Sequence, residues 1–139
     1  MFSINLLFKS NPNEVQTIYV FKALTDAGTL LAFGSDWSVA PATPLEGIYA
    51  AVTRQTLDGQ NQAGWVPEEK ITVEQALMAY TKNAAYASFD EKIKRTLEPG
   101  KLADLVIMDK NPFEFDPVEI KNIIIKMTIV GGNVYYEND

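Results

Sequence analysis

The chain has 139 residues, of which 47% are hydrophobic, and a formal net charge of −6. This length suits one globular domain with a core, and the composition is too apolar for a disordered chain. The negative charge argues against nucleic acid or an anionic membrane surface as a partner, and no apolar run is long enough to span a bilayer.

Two residue types are missing from the sequence, cysteine and histidine. Disulfides and thiolate metal sites are therefore excluded, as are Ser-His-Asp and Cys-His catalytic arrangements. A self-contained metal site would have to use carboxylates and other oxygen ligands. The first eight residues lack the basic leader and cleavage site of a signal peptide, and the lack of cysteine is compatible with the cytoplasmic location that we expect.

The first predicted elements are a helix over about 13–27 and a strand over about 29–35. Asn13 and Gln16 form a helix-capping pattern, and Gly28 is the expected left-handed stop. The apolar run that follows predicts a strand buried on both faces. Asp36 comes directly after it, at the end of a strand where barrels and parallel sheets place catalytic groups.

Two further helices are predicted, over about 43–55 and 72–89. Thr43, Pro44 and Glu46 give the first a capping box with proline at the first helical position. The polar, glycine-containing stretch 56–70 is typical of a loop. Thr72 opens the second helix, whose apolar residues recur at helical spacing.

The last forty residues predict antiparallel β structure. Residues 103–108 form a strand run, 111–117 a loop, and 120–130 a run rich in β-branched residues. Gly131 and Gly132 then join this run to 133–136, which is the usual signal of a hairpin. The change in pattern divides the chain into an α/β part, residues 1–98, and a β part, residues 99–139.

Several short motifs resemble the amidohydrolase superfamily, specifically the family 3 branch that includes N-substituted formamide deformylase-like enzymes. They occur in the order typical of that family. The motifs are Leu-Ala-Phe-Gly-Ser-Asp-Trp at 31–37, Tyr-Ala-Ala-Val-Thr-Arg at 49–54, Ile-Thr-Val-Glu-Gln-Ala-Leu at 71–77, Tyr-Thr-Lys-Asn-Ala-Ala at 80–85, Glu-Pro-Gly-Lys-Leu-Ala-Asp-Leu-Val-Ile at 98–107 and Met-Thr-Ile-Val-Gly-Gly at 127–132.

This resemblance implies a C-terminal fragment of a (β/α)₈ metal-dependent hydrolase barrel, an α/β fold. Residues 1–98 would contain the last helix–strand unit and the terminal helices of the barrel. Residues 99–139 would supply strands of the small composite β-sandwich domain. Most of the barrel would then lie outside this sequence.

The resemblance also implies a role for Asp36. In this family the aspartate after the last barrel strand contacts a divalent metal, most often zinc, and takes a proton from the metal-bound water. Asp36 would be that catalytic residue and metal ligand in a complete barrel. In this chain alone, we expect Asp36 to be a polar end to the strand with its side chain bonded to loop amides. The histidine ligands of the family have no counterpart here, so we expect no metal in this chain alone.

Trp37 and Val39 lie in the loop that follows Asp36, where the resemblance places the mouth of the barrel. They either line a substrate pocket or pack within the loop. Ser38 replaces a proline common in the family, which leaves the specificity open. We expect Arg54 to lie at the surface or an interface, and Lys101 and Asp104 to serve as turn and salt-bridge residues.

Two functions are compatible with the sequence. The first is part of an amidohydrolase acting on non-peptide C–N bonds of the amide or formamide type, inactive as this isolated chain. The alternative is a non-catalytic structural or interaction module. Because the predicted strand has no parallel neighbour in the sequence, we expect self-association, or pairing with a partner chain that supplies the N-terminal barrel.

Overall fold

The computed structural model describes residues 18–138 and shows a helical part followed by a small sheet. The elements, in chain order, are α1 (Phe21–Asp26), α2 (Pro44–Thr53), a 3₁₀ turn (Pro67–Glu69), α3 (Val73–Tyr80), α4 (Lys82–Ala87), β1 (Leu105–Met108), a second 3₁₀ turn (Pro117–Asn122), β2 (Ile125–Val130) and β3 (Asn133–Glu137). Within the described range, no helix is both long and apolar enough to cross a membrane.

The core is built around α2, the most deeply buried helix. Tyr49 on α2 and Ile120 in the second 3₁₀ turn are fully buried side chains of the same cluster. The Tyr49 hydroxyl donates to Gln55 Oε1 at 3.1 Å, so its polar end is paired. Because Ile120 lies between β1 and β2 in the chain, this contact ties the β part to the helical part.

The helix predicted over 13–27 is short where the structure describes it. Residues 13–17 lie outside the described range, and α1 begins only at Phe21 because Tyr19 has a left-handed backbone with φ of 55°. The predicted stop at Gly28 is confirmed. Gly28 has φ of +83° and donates to the Thr25 carbonyl at 2.9 Å.

Of the two helix starts predicted at Thr43 and Thr72, only the second forms a capping box. Thr72 accepts from the Gln75 backbone at 3.1 Å and donates its own N–H to Gln75 Oε1 at 2.8 Å. The box predicted at Thr43 and Glu46 is wrong, because the Thr43 side chain makes no cap bond. Thr43 has ψ of 82° rather than the extended 160° of Thr72, so its hydroxyl is not aimed at the first turn.

The single helix predicted over 72–89 is two helices in the structure. The backbone of Thr81, with φ of −120° and ψ of −87°, ends α3 and precedes α4. The Thr81 hydroxyl donates to the Leu77 carbonyl at 2.7 Å, a side-chain bond that competes with continued helix. The apolar spacing predicted the packed faces but not this interruption.

The strand predicted over 29–35 is not a strand in the structure, since no neighbouring strand lies beside it within residues 18–138. The stretch 29–36, which we term the Asp36 segment, runs without a turn or bend. Over its second half, half-buried Leu31, Phe33 and Ser35 alternate with exposed residues, as in an extended chain. Burial on both faces was thus a wrong expectation.

The hairpin predicted at Gly131 and Gly132 is confirmed, and the sheet has the antiparallel order β1-β2-β3. Two strand starts differ from the prediction. β1 begins at Leu105, and β2 begins at Ile125 because the preceding residues form the second 3₁₀ turn. The Asp116 carboxylate caps that turn by accepting from the Val118 N–H at 3.0 Å.

Arg54 is buried, which corrects the expectation of a surface or interface residue. Its side chain is 4% exposed, and its backbone is left-handed with φ of 60° at the end of α2. Nε donates to the Trp65 carbonyl at 2.9 Å and Nη1 to the Tyr19 carbonyl at 3.1 Å. The guanidinium also lies over the rings of Phe21 and Trp65. Burial lowers the pKa of Arg54, an effect that nearby Glu69 opposes.

Lys101 and Asp104 have the turn and salt-bridge contacts that were expected of them. Lys101 Nζ lies 3.0 Å from the Glu98 carboxylate. Asp104 Oδ1 accepts from the Gly131 backbone N–H at 2.7 Å and so ties the start of β1 to the hairpin turn. Both contacts are structural, and neither residue belongs to the Asp36 segment.

Gly47 on α2 makes a close approach that can be tested. A Cβ added there would overlap the Tyr80 hydroxyl and lie 2.8 Å from Tyr80 Cζ. We expect Gly47→Ala to lower the free energy of unfolding by about 1–3 kcal/mol, because overpacking forces neighbours to shift. Urea unfolding followed by circular dichroism measures this. Gly34→Ala is the control, since nothing lies within 4 Å of its added Cβ; equal losses in the two variants would contradict the explanation.

Candidate functional site

Asp36 ends the extended segment in a tight turn. Its backbone has φ of 52°, and its carbonyl accepts from the Val39 N–H at 2.7 Å. The side chain is exposed, and its carboxylate makes no hydrogen bond or ion pair with another residue of the described range, so the expected bonds to loop amides are not formed there. The carboxylate is therefore available to a group outside residues 18–138.

The loop after Asp36 presents apolar side chains to solvent. Trp37 is 74% exposed and Val39 is 85% exposed, whereas Ala40 is buried and anchors the end of the loop. The peptide bond between Trp37 and Ser38 is cis. Trp37 and Val39 therefore do not pack into the core, and their role in lining a substrate pocket stays a prediction.

The Asp36 segment is held on one side by the break between α3 and α4. The Phe33 N–H donates to the Ala79 carbonyl at 3.0 Å, and Asn83 Nδ2 donates to the Leu31 carbonyl at 2.8 Å. The Phe33 ring packs edge-on against the ring of Tyr80, with centroids 5.5 Å apart. These contacts position the segment through the residues immediately before Asp36.

Aromatic packing continues from the segment toward Arg54. The rings of Phe33 and Phe21 have centroids 5.0 Å apart, and the Arg54 guanidinium lies 5.5 Å from the Phe21 ring centroid. On the other side of Phe33, burial raises the pKa of the Tyr80 hydroxyl. The Tyr80 hydroxyl keeps its proton near pH 7, and its ring packs between Phe33 and Gly47.

The described residues do not fit a catalytic metal ion by themselves. Within residues 18–138, no group of three or more histidine, cysteine, aspartate or glutamate side chains is placed to hold one. The whole sequence contains no histidine and no cysteine. A catalytic zinc takes about three protein ligands, and Asp36 offers one carboxylate. No reaction step through a metal can therefore be assigned to these residues.

Comparison with known proteins defines the class. The sequence profile described as "Amidohydrolase family" matches residues 3–136, which is nearly the whole chain. The chain therefore belongs to the amidohydrolase family. This confirms the resemblance drawn from the ordered motifs, including the one that contains Asp36.

Three curated proteins are similar to this chain over most of its length. The chain is 38% identical over 122 residues to the Protein LONG AFTER FAR-RED 3 of Arabidopsis thaliana. It is 32% identical over 125 residues to the putative amidohydrolase YtcJ of Bacillus subtilis. It is 29% identical over 131 residues to the N-substituted formamide deformylase of Arthrobacter pascens.

These matches cover most of this chain and little of each relative. They include 88%, 90% and 94% of the chain, but only 20%, 24% and 24% of the relatives in the same order. The chain thus spans about a quarter or less of the length of the curated relatives that it matches. The activity of a whole relative therefore cannot be assigned to this chain.

The sequence placed Asp36 at the end of an extended run, as the structure does, but gave no indication of the groups that hold the segment. Asn83 lies inside one of the family motifs, but the helical spacing of the apolar residues around it indicates only that the helix packs against the core. The available signal was an asparagine at helical spacing from the apolar residues Tyr80 and Ala87, since an amide buried on that face needs a partner. The Ala79 carbonyl gave no signal, because its availability depends on the helix break.

A metal-binding measurement tests whether this chain alone holds a catalytic zinc ion. We expect the purified chain, dialysed against Zn²⁺, to retain well under one zinc per chain, because a lone carboxylate is a weak site. Elemental analysis measures the content, and thermal unfolding with and without a chelator should give the same midpoint. Stoichiometric zinc that Asp36→Asn removes would contradict this expectation.

Proposed function

We propose that this chain supplies Asp36 to the active centre of an amidohydrolase-type hydrolase that acts on non-peptide C–N bonds of the amide or formamide class. Family membership over residues 3–136 supports the class of reaction. The observation that carries the role of Asp36 is its exposed, unpaired carboxylate at the end of the extended segment, within the described range.

The proposed work of Asp36 is proton transfer. A positioned carboxylate takes a proton from attacking water and returns it to the leaving amine, a general base and acid role that contributes about 10²–10⁴-fold to a rate. The remaining machinery is not found among residues 18–138, which contain no group fit to bind a metal. We therefore infer that the chain is inactive by itself.

The proposed architecture follows the family. The Asp36 segment would be the last barrel strand in an intact (β/α)₈ barrel, and β1, β2 and β3 would belong to the composite sandwich. The extended course of the segment, with Asp36 at its end, supports the first part of this proposal. Trp37 and Val39, exposed beside Asp36, are the proposed substrate-loop residues.

A second candidate function is a non-catalytic module that self-associates or complements a partner chain. Leu30 is 62% exposed, and the backbones of Leu30, Ala32 and Gly34 make no hydrogen bond within the described range. An unpaired extended edge with an exposed apolar side chain promotes pairing with another strand. This edge would be covered by the missing strands or by another chain.

A chimera tests the catalytic proposal. The stretch of the N-substituted formamide deformylase that matches this chain is replaced by the chain, and hydrolysis of an N-substituted formamide is measured. We expect activity that Asp36→Asn lowers by about 10²–10⁴-fold in kcat. The reason is that the amide side chain cannot accept the proton.

The matched control for the chimera is Asp26→Asn, which removes the same charge from an exposed ion pair with Lys22. Such a pair contributes little to stability, so kcat should be unchanged. Circular dichroism shows that each chimera is folded. A folded chimera whose activity survives Asp36→Asn would refute the proposed role.

Self-association is tested by size exclusion with light scattering over a range of concentrations. We expect the chain to form dimers or larger species, because one edge of the Asp36 segment, at Leu30, Ala32 and Gly34, makes no hydrogen bond within residues 18–138. Leu30→Lys should shift the population toward monomer by placing a charge at that edge. The control is Leu97→Lys, an exposed leucine outside the segment. A monomer at every concentration would rule out self-association.

A further inference from the structure

We propose that Asn83 is a positioning residue for Asp36, and that the break between α3 and α4 holds one edge of the Asp36 segment at residues 31 and 33. The inference rests on the proposed function for its consequence in catalysis. Its structural part, the control of the segment by Asn83, stands on the geometry of this chain alone.

The helix break makes one backbone acceptor available. In a continuous α-helix the carbonyl of residue 79 would accept from the N–H of residue 83. At Thr81 the chain departs from helical geometry, and the Ala79 carbonyl accepts instead from the Phe33 N–H at 3.0 Å. A backbone group of the segment is thereby paired without any strand.

Asn83 supplies the second bond on the same edge. Its side chain is 9% exposed, and Nδ2 donates to the Leu31 carbonyl at 2.8 Å across 52 positions of sequence. In an extended chain, the backbone groups of residues 31 and 33 point to the same side. The Ala79 carbonyl and the Asn83 amide therefore bind two successive positions on one edge of the segment, at residues 33 and 31. The two bonds together prevent the segment from sliding along the break.

These two bonds control where Asp36 lies. Asp36 is three residues beyond Phe33, and the opposite edge, at Leu30, Ala32 and Gly34, makes no hydrogen bond within the described range. The buried amide is also sensitive to change, because losing the donor leaves the Leu31 carbonyl unpaired. Asn83 does not touch the carboxylate of Asp36, so its effect is on position.

The test uses Asn83→Asp, which keeps the shape and replaces the donor by a carboxylate facing the Leu31 carbonyl. Amide hydrogen exchange at Phe33 and residual dipolar couplings of residues 31–37 are measured by NMR on the full chain. We expect at least about tenfold faster exchange at Phe33 near pH 7, with altered couplings but unchanged amides in α2. At acidic pH, both readings should match those of the unchanged chain at the same pH, because the protonated carboxyl of the variant donates again.

The matched control is Asn133→Asp, the same change at an exposed asparagine whose Nδ2 lies 3.4 Å from the Gly131 carbonyl. It should leave Phe33 and the segment unchanged at either pH. If Asn83→Asp unfolds the chain at neutral pH, Asn83→Ala replaces it, since the smaller side chain admits water to the Leu31 carbonyl. Unchanged exchange and couplings in the folded variant would overturn the inference.

The deformylase chimera separates this inference from the proposed function. With Asn83→Asp we expect kcat to fall about tenfold to a hundredfold and KM to change little, because misplaced catalytic groups cost rate. If Asp36→Asn abolishes activity while Asn83→Asp leaves kcat intact, the positioning role is wrong. If Asp36→Asn leaves activity intact, the proposed function fails, whatever the NMR readings at Asn83 show.

Discussion

The backbone of an extended segment needs hydrogen-bond partners, and in this chain a broken helix provides them. The Ala79 carbonyl and the Asn83 amide meet the segment at Phe33 and Leu31, on one edge. The constraint acts in both directions. The helix could not continue through Thr81 and still present both groups, and the two bonds satisfy two backbone groups of the segment. The interruption in the helix is therefore part of the site that ends at Asp36.

The rest of the chain supports that contact through a compact aromatic core. Phe33 lies between Phe21 and Tyr80, and Tyr80 fits against Gly47, where no larger side chain has room. The segment is thus joined to α2, the centre of the core, by ring packing through Tyr80, while its hydrogen bonds go to the break between α3 and α4. The sheet is joined to the same helix through Ile120. A disturbance at α2 would reach both parts of the chain.

Features set by a few adjacent residues could be predicted from the sequence. The stop at Gly28, the helix start at Thr72 and the hairpin at Gly131 each follow from local backbone chemistry, and the structure shows all three. The family could be recognised too, because its motifs are short and ordered. The position of Asp36 at the end of an extended run also followed from local pattern.

Features that depend on distant contacts could not be predicted. The burial of Arg54 depends on Trp65 and Tyr19, and the separation of α3 from α4 accompanies contacts with Leu31 and Phe33. The start of β2 depends on the packing of Ile120. Hydrophobic periodicity indicates which face of a helix or strand is buried, but it gives no information about contacts with residues far along the chain. The expectation that this chain alone holds no catalytic metal rests on composition, because the sequence contains no histidine.

The arrangement around Arg54 has a consequence for which substitutions the fold can accept. A guanidinium is flat, so it can stack against two rings while its edge donates to two carbonyls, and it keeps its charge at any ordinary pH. Lysine has the same charge but neither the flat face nor the fork of donors. We therefore expect few other residues to be tolerated at position 54. Even lysine would lose the stacking and the paired hydrogen bonds, and would weaken the packing between the end of α2 and the residues that precede α1.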